Sequence, residues 1–417
     1  MNCIHILPQL RTIVEKYSDD VVVIGVHSGK YIAERETGRI LEASLRYEIT
    51  HPIVNDRQFR IWRSYAVRAW PTLALIDRNG YVVGAHAGEF TAGMLEPALD
   101  GLVAMKTELR ANALPHTPQR PAIAPSLLRY PDKITIDDAR IAVADTGNHR
   151  VLIGTLATSH QMRIDRDISG GFSAPRGMAF VGDTLYVTDS ENHTVSAIDL
   201  TTGTTSVIAG TGDQMRTQAD RSAGALSSPW DIAVIGRSVY IAMAGIHQLW
   251  RLDLDTHELG VHGGNGGEDI VDGPNKDALL AQPMGITTDG TRLYFADAES
   301  SATRWSDVDP MGNVGTIVGT GLFDFGDVDG SGDKVRMQHQ QGLAYAGEGR
   351  LLVADSYNDA LKWVNIQTRE AITWLRGFNE PGGVAIASGH AYVADTNAHR
   401  VMVVDLSTGS RSELEIA

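Results

Sequence analysis

The sequence predicts a multidomain chain: an α/β region followed by an all-β propeller of six blades. Three observations carry that expectation. Up to residue 110, helix-like and strand-like patterns alternate. Pro115, Pro118, Pro121, Pro125 and Pro131 then place five of the fifteen prolines within seventeen residues, a composition that resists helix and sheet and behaves as a stiff spacer. Beyond it, one short motif returns six times and helical periodicity almost vanishes. At 417 residues the chain also exceeds what one ordinary core supports. The reading divides it into an α/β domain over 1–110, a linker over 111–131 and a propeller over 132–417.

In the first part, Ile4 to Tyr17 has helical spacing and stops at Ser18-Asp19-Asp20. Val21 to Val26 is a continuous apolar run, expected as a strand buried on both faces. Gly38 to Tyr47 predicts a second helix, Ile53-Val54 a short strand and Arg57 to Tyr65 another helical stretch. Leu73 to Val83 reads as two strands around the Asn79-Gly80 turn. Thr91 to Arg110 closes the region as a helix with Leu95, Leu99, Leu102 and Met105 on one face.

In the second part the copies are Ile141 to Asp145, Leu185 to Asp189, Val239 to Met243, Leu293 to Asp297, Leu351 to Asp355 and Ala391 to Asp395. Their separations are 44, 54, 54, 58 and 40 residues, the range of one four-stranded blade per repeat. The 43 glycines suit so many turns. Val401 to Asp405 and Ser412 to Ile416 supply strand enough to finish the last blade.

Asp and His recur four residues apart in the copies: Asp145/His149, Asp189/His193 and Asp395/His399. Blade three keeps His247 but has Met243 in place of Asp, and blades four and five have Ser301 and Asp359 in place of His. A ring of metal ligands would need only three or four convergent groups, whereas a scaffold needs its turn amides satisfied in every copy, so the repetition reads as structural. Asp327-Val-Asp329-Gly-Ser331-Gly332 opens like a calcium loop, but Gln338 stands at its twelfth position. Asp329-Gly330 also repeats Asp272-Gly273 at the same distance from the next blade, as an inter-blade turn does. Asn148-His149-Arg150, Glu191-Asn192-His193 and Asn397-Ala398-His399-Arg400 resemble the NHL repeat, which implies six blades.

Blade three departs from the others. It opens Ser228-Pro229-Trp230-Asp231 where its neighbours read Pro175-Arg176-Gly177 and Pro283-Met284-Gly285. Arg176, Trp230, Asp231, Met243 and His247 are therefore the candidate binding residues, set at one mouth of the central channel. The alternative keeps Trp230 as inter-blade packing and Asp231 as a turn cap.

Asn2-Cys3-Ile4-His5 leading a helix, and Trp70-Pro71-Thr72 leading a hairpin, resemble the thioredoxin fold. With the propeller the whole is similar to the NHL-repeat-containing thioredoxin-like proteins. The resemblance implies a Cys-x-x-Cys pair at a helix N-terminus, where amides stabilise a thiolate, facing a cis-proline at Pro71. Cys3 aligns with the second cysteine of that pair. The first cysteine and the strand before it fall ahead of residue 1, so the expected domain is an incomplete thioredoxin-like one, its sequence either continuing upstream or its redox site, Cys3 and Pro71, vestigial.

Composition excludes several classes. With 36 Lys and Arg against 51 Asp and Glu, the net charge of −15 disfavours general nucleic-acid binding, a local basic face aside. One cysteine excludes internal disulfides and cysteine-built zinc sites. No apolar run approaches the ~20 residues of a membrane span, and no secretory signal opens the chain, so the expectation is cytoplasmic. No cofactor is expected. The leading functional expectation is a scaffold whose propeller faces bind a protein partner. A thiol-disulfide oxidoreductase completed by upstream sequence is the alternative, and a metal-dependent propeller hydrolase or lyase using Asp231 and His247 the third.

Overall fold

A computed structural model describes residues 1–105 and 124–417. Most of the expected linker, and the end of the helix expected to reach Arg110, lie outside the described residues. The chain separates into two units, Met1–Pro125 and Ser126–Ala417.

The first unit contains, in order, α1 (Asn2–Lys16), β1 (Gly25–His27), α2 (Thr37–Arg46), β2 (Ile53–Asn55), α3 (Arg60–Ser64), β3 (Thr72–Ile76), β4 (Val82–Ala87) and α4 (Ala92–Ala104). β1 pairs in parallel with β2, and β3 antiparallel with β4, as two separate ladders. Leu10 and Ile13 of α1, with Tyr17 at its end, meet Phe90 and the α4 residues Leu95 and Leu99, and Val21, Val23, Leu73 and Leu75 pack against them. The Tyr17 hydroxyl donates to Asp100 at 2.7 Å and fixes the two helices to each other. At the hairpin tip the Asp77 carboxylate accepts from Asn79 N–H and Tyr81 N–H, and Gly80 takes the left-handed conformation (φ 88°) the turn requires. The run from Val21 differs from its expectation. Only its end enters a ladder: Val21 and Val23 pack against the α1 and α4 cluster, while Val22 and Ile24 are 58% and 51% exposed.

The second unit is a ring of six antiparallel blades, spanning 134–169, 175–209, 229–263, 283–318, 342–376 and 381–413. The first strands of successive blades touch around the axis, and that of the sixth meets that of the first. Six apolar clusters fill the six junctions. At the second, Tyr186 and Val195 of one blade pack with Ile232, Ile241 and Trp250 of the next. Alternation along each strand forces this, because each sheet has two faces and both need a neighbour. The end of the chain does more than finish blade six: Glu415–Ile416 adds in parallel to Gln161–Met162 of blade one and closes the ring.

Blades four and five each gain a fifth, outermost strand from the inter-blade turns, Gly273–Pro274 and Gly330–Ser331. The preceding carboxylates do matching work: Asp272 accepts from Thr316 N–H and Asp329 from Thr373 N–H, both at 2.9 Å. A buried cation neutralises each, Arg304 beside Asp272 and Lys362 beside Asp327 and Asp329 at 2.9 and 2.8 Å. An ammonium group thus sits where a calcium loop would place its ion. Among the described residues, no helix is long and apolar enough to cross a membrane.

Candidate functional site

Every blade begins with a chain segment that enters from the rim, and the recurring Asp and His positions hold it. The first group acts within a blade. Asp145, Asp297, Asp355 and Asp395, all fully buried, accept from the backbone N–H of Arg129, Ala281, Gln338 and Asn379 at 2.5–2.7 Å. Asp189 accepts from two, Ser173 and Ala174. Burial pushes the Asp297 and Asp395 carboxyls up, and that of Asp355 up to about 7, despite their hydrogen bonds.

The second group acts between blades and seizes the very next amide. His193 Nδ1 accepts from Ser228 N–H at 3.0 Å, His247 Nδ1 from Gln282 at 3.2 Å and His399 Nδ1 from Tyr130 at 3.1 Å. Where the sequence has Ser301 and Asp359 instead, their oxygens accept from His339 at 3.1 Å and Glu380 at 3.0 Å. The five donors all have positive φ, which turns each N–H back toward the preceding blade. The imidazoles, the hydroxyl and the carboxylate are therefore interchangeable acceptors in one clasp. His149 bonds the Ser173 carbonyl instead. His247 is thereby scaffold rather than channel lining. Met243 is too: fully buried among Met215, Leu226 and Trp250, it fills with apolar bulk the place where other blades carry the carboxylate.

The structure does bring Arg176, Trp230 and Asp231 together, with two residues the sequence reading passed over, Asp132 and Lys133. The Arg176 guanidinium pairs with buried Asp132, donates to Ser190 Oγ at 2.7 Å and lies 3.7 Å over the Trp230 ring. One position deeper, four blades carry glycine because no Cβ fits. A Cβ on Gly177 would stand 2.3 Å from Asp231 Cα, and one on Gly342 2.7 Å from Gly383 Cα. The remaining two blades place Lys133 and Asp231 there. Lys133 Nζ donates to the carbonyls of Gln341 and Gly382, reaching across to blades five and six. The Asp231 carboxylate accepts from Ile232 N–H at 2.9 Å and Ile286 N–H at 3.1 Å. Burial raises Asp231 to about 6, with Lys133 opposing the shift. Trp230 is 1% and Arg176 7% exposed, so this group, carried by the opening segments of blades one, two and three, is interior rather than an open mouth. Asp132 and Lys133 were legible: Pro131-Asp132-Lys133 is the first copy of Pro175-Arg176-Gly177.

Among the described residues, no three His, Cys, Asp or Glu side chains are grouped to hold a metal ion. Asp231 and His247 bond backbone amides at separate places and do not converge on one another.

In the first unit, Cys3 is exposed in the opening turn of α1, and Pro71 is buried and follows a cis peptide bond. A short relay links the two neighbourhoods. The Pro71 carbonyl accepts from Gly88 N–H at 2.9 Å, and the next residue, Glu89, bonds His5 Nδ1 at 2.6 Å, two positions after Cys3.

A thioredoxin-like family model matches residues 1–82 and an NHL-repeat model residues 378–403. NHL repeat-containing protein 2 of Bos taurus is 36% identical over 98% of this chain, and SUPPRESSOR OF QUENCHING 1, chloroplastic, of Arabidopsis thaliana 33% identical over 99%. The chain spans about two thirds (65%) of the first relative's length and 44% of the second's. Over 24% of the chain it is also 26% identical to the thiol-disulfide oxidoreductase YkuV of Bacillus subtilis, covering 69% of that protein. A thioredoxin-like region and a six-bladed NHL propeller, in that order and matched along the whole chain, make this protein a member of the NHL-repeat-containing thioredoxin-like family.

Proposed function

We propose that the chain is a protein-interaction scaffold in which a rigid propeller presents loops to a protein partner. The observation that carries this reading is a set of large, exposed apolar side chains on the propeller. Phe323 and Val328, on the turn between blades four and five, are 69% and 50% exposed, and Ile372 on the adjoining outer strand is 49% exposed. Val328 and Ile372 flank the bond between Asp329 and Thr373 N–H, so the two lie close together. Clustered exposed apolar groups on an otherwise well-packed unit mark contact surfaces. The test is affinity capture followed by mass spectrometry, comparing the full chain with a Phe323→Asp, Val328→Asp variant of unchanged melting midpoint. Proteins enriched by the first and lost by the second support the scaffold; identical profiles count against it.

A second reading, thiol chemistry at Cys3, is favoured by the Pro71–Gly88–Glu89–His5 relay and by the likeness to YkuV. With one cysteine in these 417 residues, Cys3 forms a mixed disulfide but needs a thiol from elsewhere to release it. Disulfide reduction by a supplied dithiol that this chain accelerates, and its Cys3→Ser variant does not, would establish that reading.

A further inference from the structure

The outermost strands of the six blades are treated differently by the rest of the chain. Three of them gain an added strand: Glu415–Ile416 lies along blade one, Gly273–Pro274 along blade four and Gly330–Ser331 along blade five. That of blade three, Leu259–Gly263, runs into buried His262 and Gly263, and Gly264 N–H at its end donates to the Asn275 carbonyl at 2.8 Å. That of blade six, Arg411–Glu413, has a charge at each end, a composition that discourages further pairing.

Blade two has none of these devices. Its outermost strand, Thr205–Ala209, pairs with the third strand on one side and, among the described residues, with no strand on the other. Thr204, Thr205, Ser206 and Val207 are all exposed, Val207 at 59%. The twelve residues from Thr201 to Gly212 hold no charged side chain and no proline, and seven of them are β-branched. An uncharged, β-branched edge left in water is a template for another strand. The bulge beside Val195 and Ser196 is no guard against this, since blades three, four and five carry one at the same place.

The edge is also held in place before anything binds. At one end the Asp199 carboxylate accepts from Thr201 N–H and Thr202 N–H, both at 2.8 Å, which fixes the turn into the strand. Arg166 of blade one clamps the same turn from outside, donating to the carbonyls of Leu200 at 3.1 Å and Thr201 at 2.6 Å. At the other end Ile208 packs into the junction with blade three. A partner therefore meets an ordered strand and orders only itself.

We propose that the outer edge of blade two is a strand-addition site for an extended, β-branched segment of a protein partner with basic residues at its flanks. Blades one, four and five show that an outer edge of this ring accepts an added strand. Main-chain hydrogen bonds supply the affinity, and Thr205 and Val207, on one face by alternation, meet the side chains of the incoming strand. The sign of the flanks follows from the unit's own charge. Residues 126–417 hold 22 Lys and Arg against 38 Asp and Glu, a field that draws in a basic segment and opposes a second copy of the same unit. The proposal extends the scaffold reading to a second surface, away from Phe323 and Val328, so either assignment stands if the other fails.

The test is fluorescence anisotropy on the full chain with a labelled peptide of alternating Thr and Val between Lys-Lys flanks. The comparators are the same peptide with Glu-Glu flanks, and two forms of the Lys peptide N-methylated at alternate residues, one set in each. A strand pairs through one edge, so one methylated form is expected to bind like the parent and the other at least tenfold more weakly. The Glu-flanked peptide should bind at least fivefold more weakly than the Lys-flanked one. Val207→Lys with Thr205→Lys should weaken binding at least tenfold at an unchanged melting midpoint, whereas Phe323→Asp with Val328→Asp should leave it unchanged. The assignment is overturned if the two methylated forms bind alike, if the flanks make no difference, or if the lysine substitutions have no effect. It is overturned equally by self-association of the chain that those lysines abolish, which would give the edge to a second copy.

Discussion

Replacing His399 separates a scaffold role from every other role for the recurring histidines. His399 sits where the last blade meets the first. Its Nδ1 accepts from Tyr130 N–H at 3.1 Å, and its ring meets the Tyr130 ring edge-on at 4.4 Å. His399→Ala removes a hydrogen bond of about 1 kcal/mol and an aromatic contact of similar size. The sum of about 2 kcal/mol corresponds to roughly 3 °C in the melting midpoint of a unit this large. His399→Asp, by contrast, restores the acceptor that Asp359 already supplies in blade five, and should recover most of the loss. Protonation provides the second readout. Burial, with Arg129 adding to it, holds the His399 imidazole below its ordinary value near 6.5, since Nδ1 accepts only when unprotonated. The unfolded chain therefore binds the proton more readily. The stability held by this clasp is complete above pH 6.5 and declines as the pH falls from there through the depressed folded value. Scanning calorimetry at pH 7.5 and 5.5 on the three proteins is the assay. The reasoning is refuted if Asp costs as much as Ala at pH 7.5, or if His399→Asp keeps the wild-type loss between the two pH values.

Three further outcomes are expected. Arg176→Met takes the guanidinium from buried Asp132 and from the Trp230 face and should cost about 3–5 kcal/mol in urea unfolding; a cost under about 1 kcal/mol would contradict a structural role for this group. Gly177→Ala, whose Cβ would stand 2.3 Å from Asp231 Cα, should destabilise the ring by at least about 1–3 kcal/mol, while Gly101→Ala in α4, with nothing within 4 Å, should stabilise by about 0.5–1 kcal/mol; calorimetry on both checks the sign. Burial raises the folded value of Asp231 to about 6 from an ordinary 3.8, so ionising it opposes folding, and its contribution falls as pH rises between those values; Asp231→Asn should flatten that part of the stability profile, and an unchanged slope would argue against it.

The propeller was legible because its signal is repetition. Six copies of one strand ending, at separations a blade can fill, leave few other folds, and the Asp and His positions announced a per-blade task before any contact was known. That Ser301 and Asp359 perform the task of histidine was not legible, since it depends on which backbone amide faces them across a junction. The candidate group around Trp230 was half legible. Departure from the Pro-x-Gly pattern singled out Trp230 and Asp231, beside Arg176 of the neighbouring copy, but the same pattern at Pro131-Asp132-Lys133 lay against the proline cluster and was absorbed into the linker. Burial was the part no pattern carried: Trp230 and Met243 are interior, one under Arg176 and the other in a junction core. In the first unit, helix spacing and the Asn79-Gly80 turn foretold the elements, whereas the split of the Val21 to Ile24 run into packed Val21 and Val23 and exposed Val22 and Ile24 is a tertiary fact.

The most direct measurement is site-resolved amide exchange at Tyr130, Ser228, Gln282, His339 and Glu380, with and without added zinc and calcium at pH 7.5. Acceptors built into the ring predict five protected amides whose exchange is indifferent to either ion. Amides that exchange like open loops in the metal-free protein, and become protected only when an ion is supplied, would turn the clasps into ligands and contradict the account.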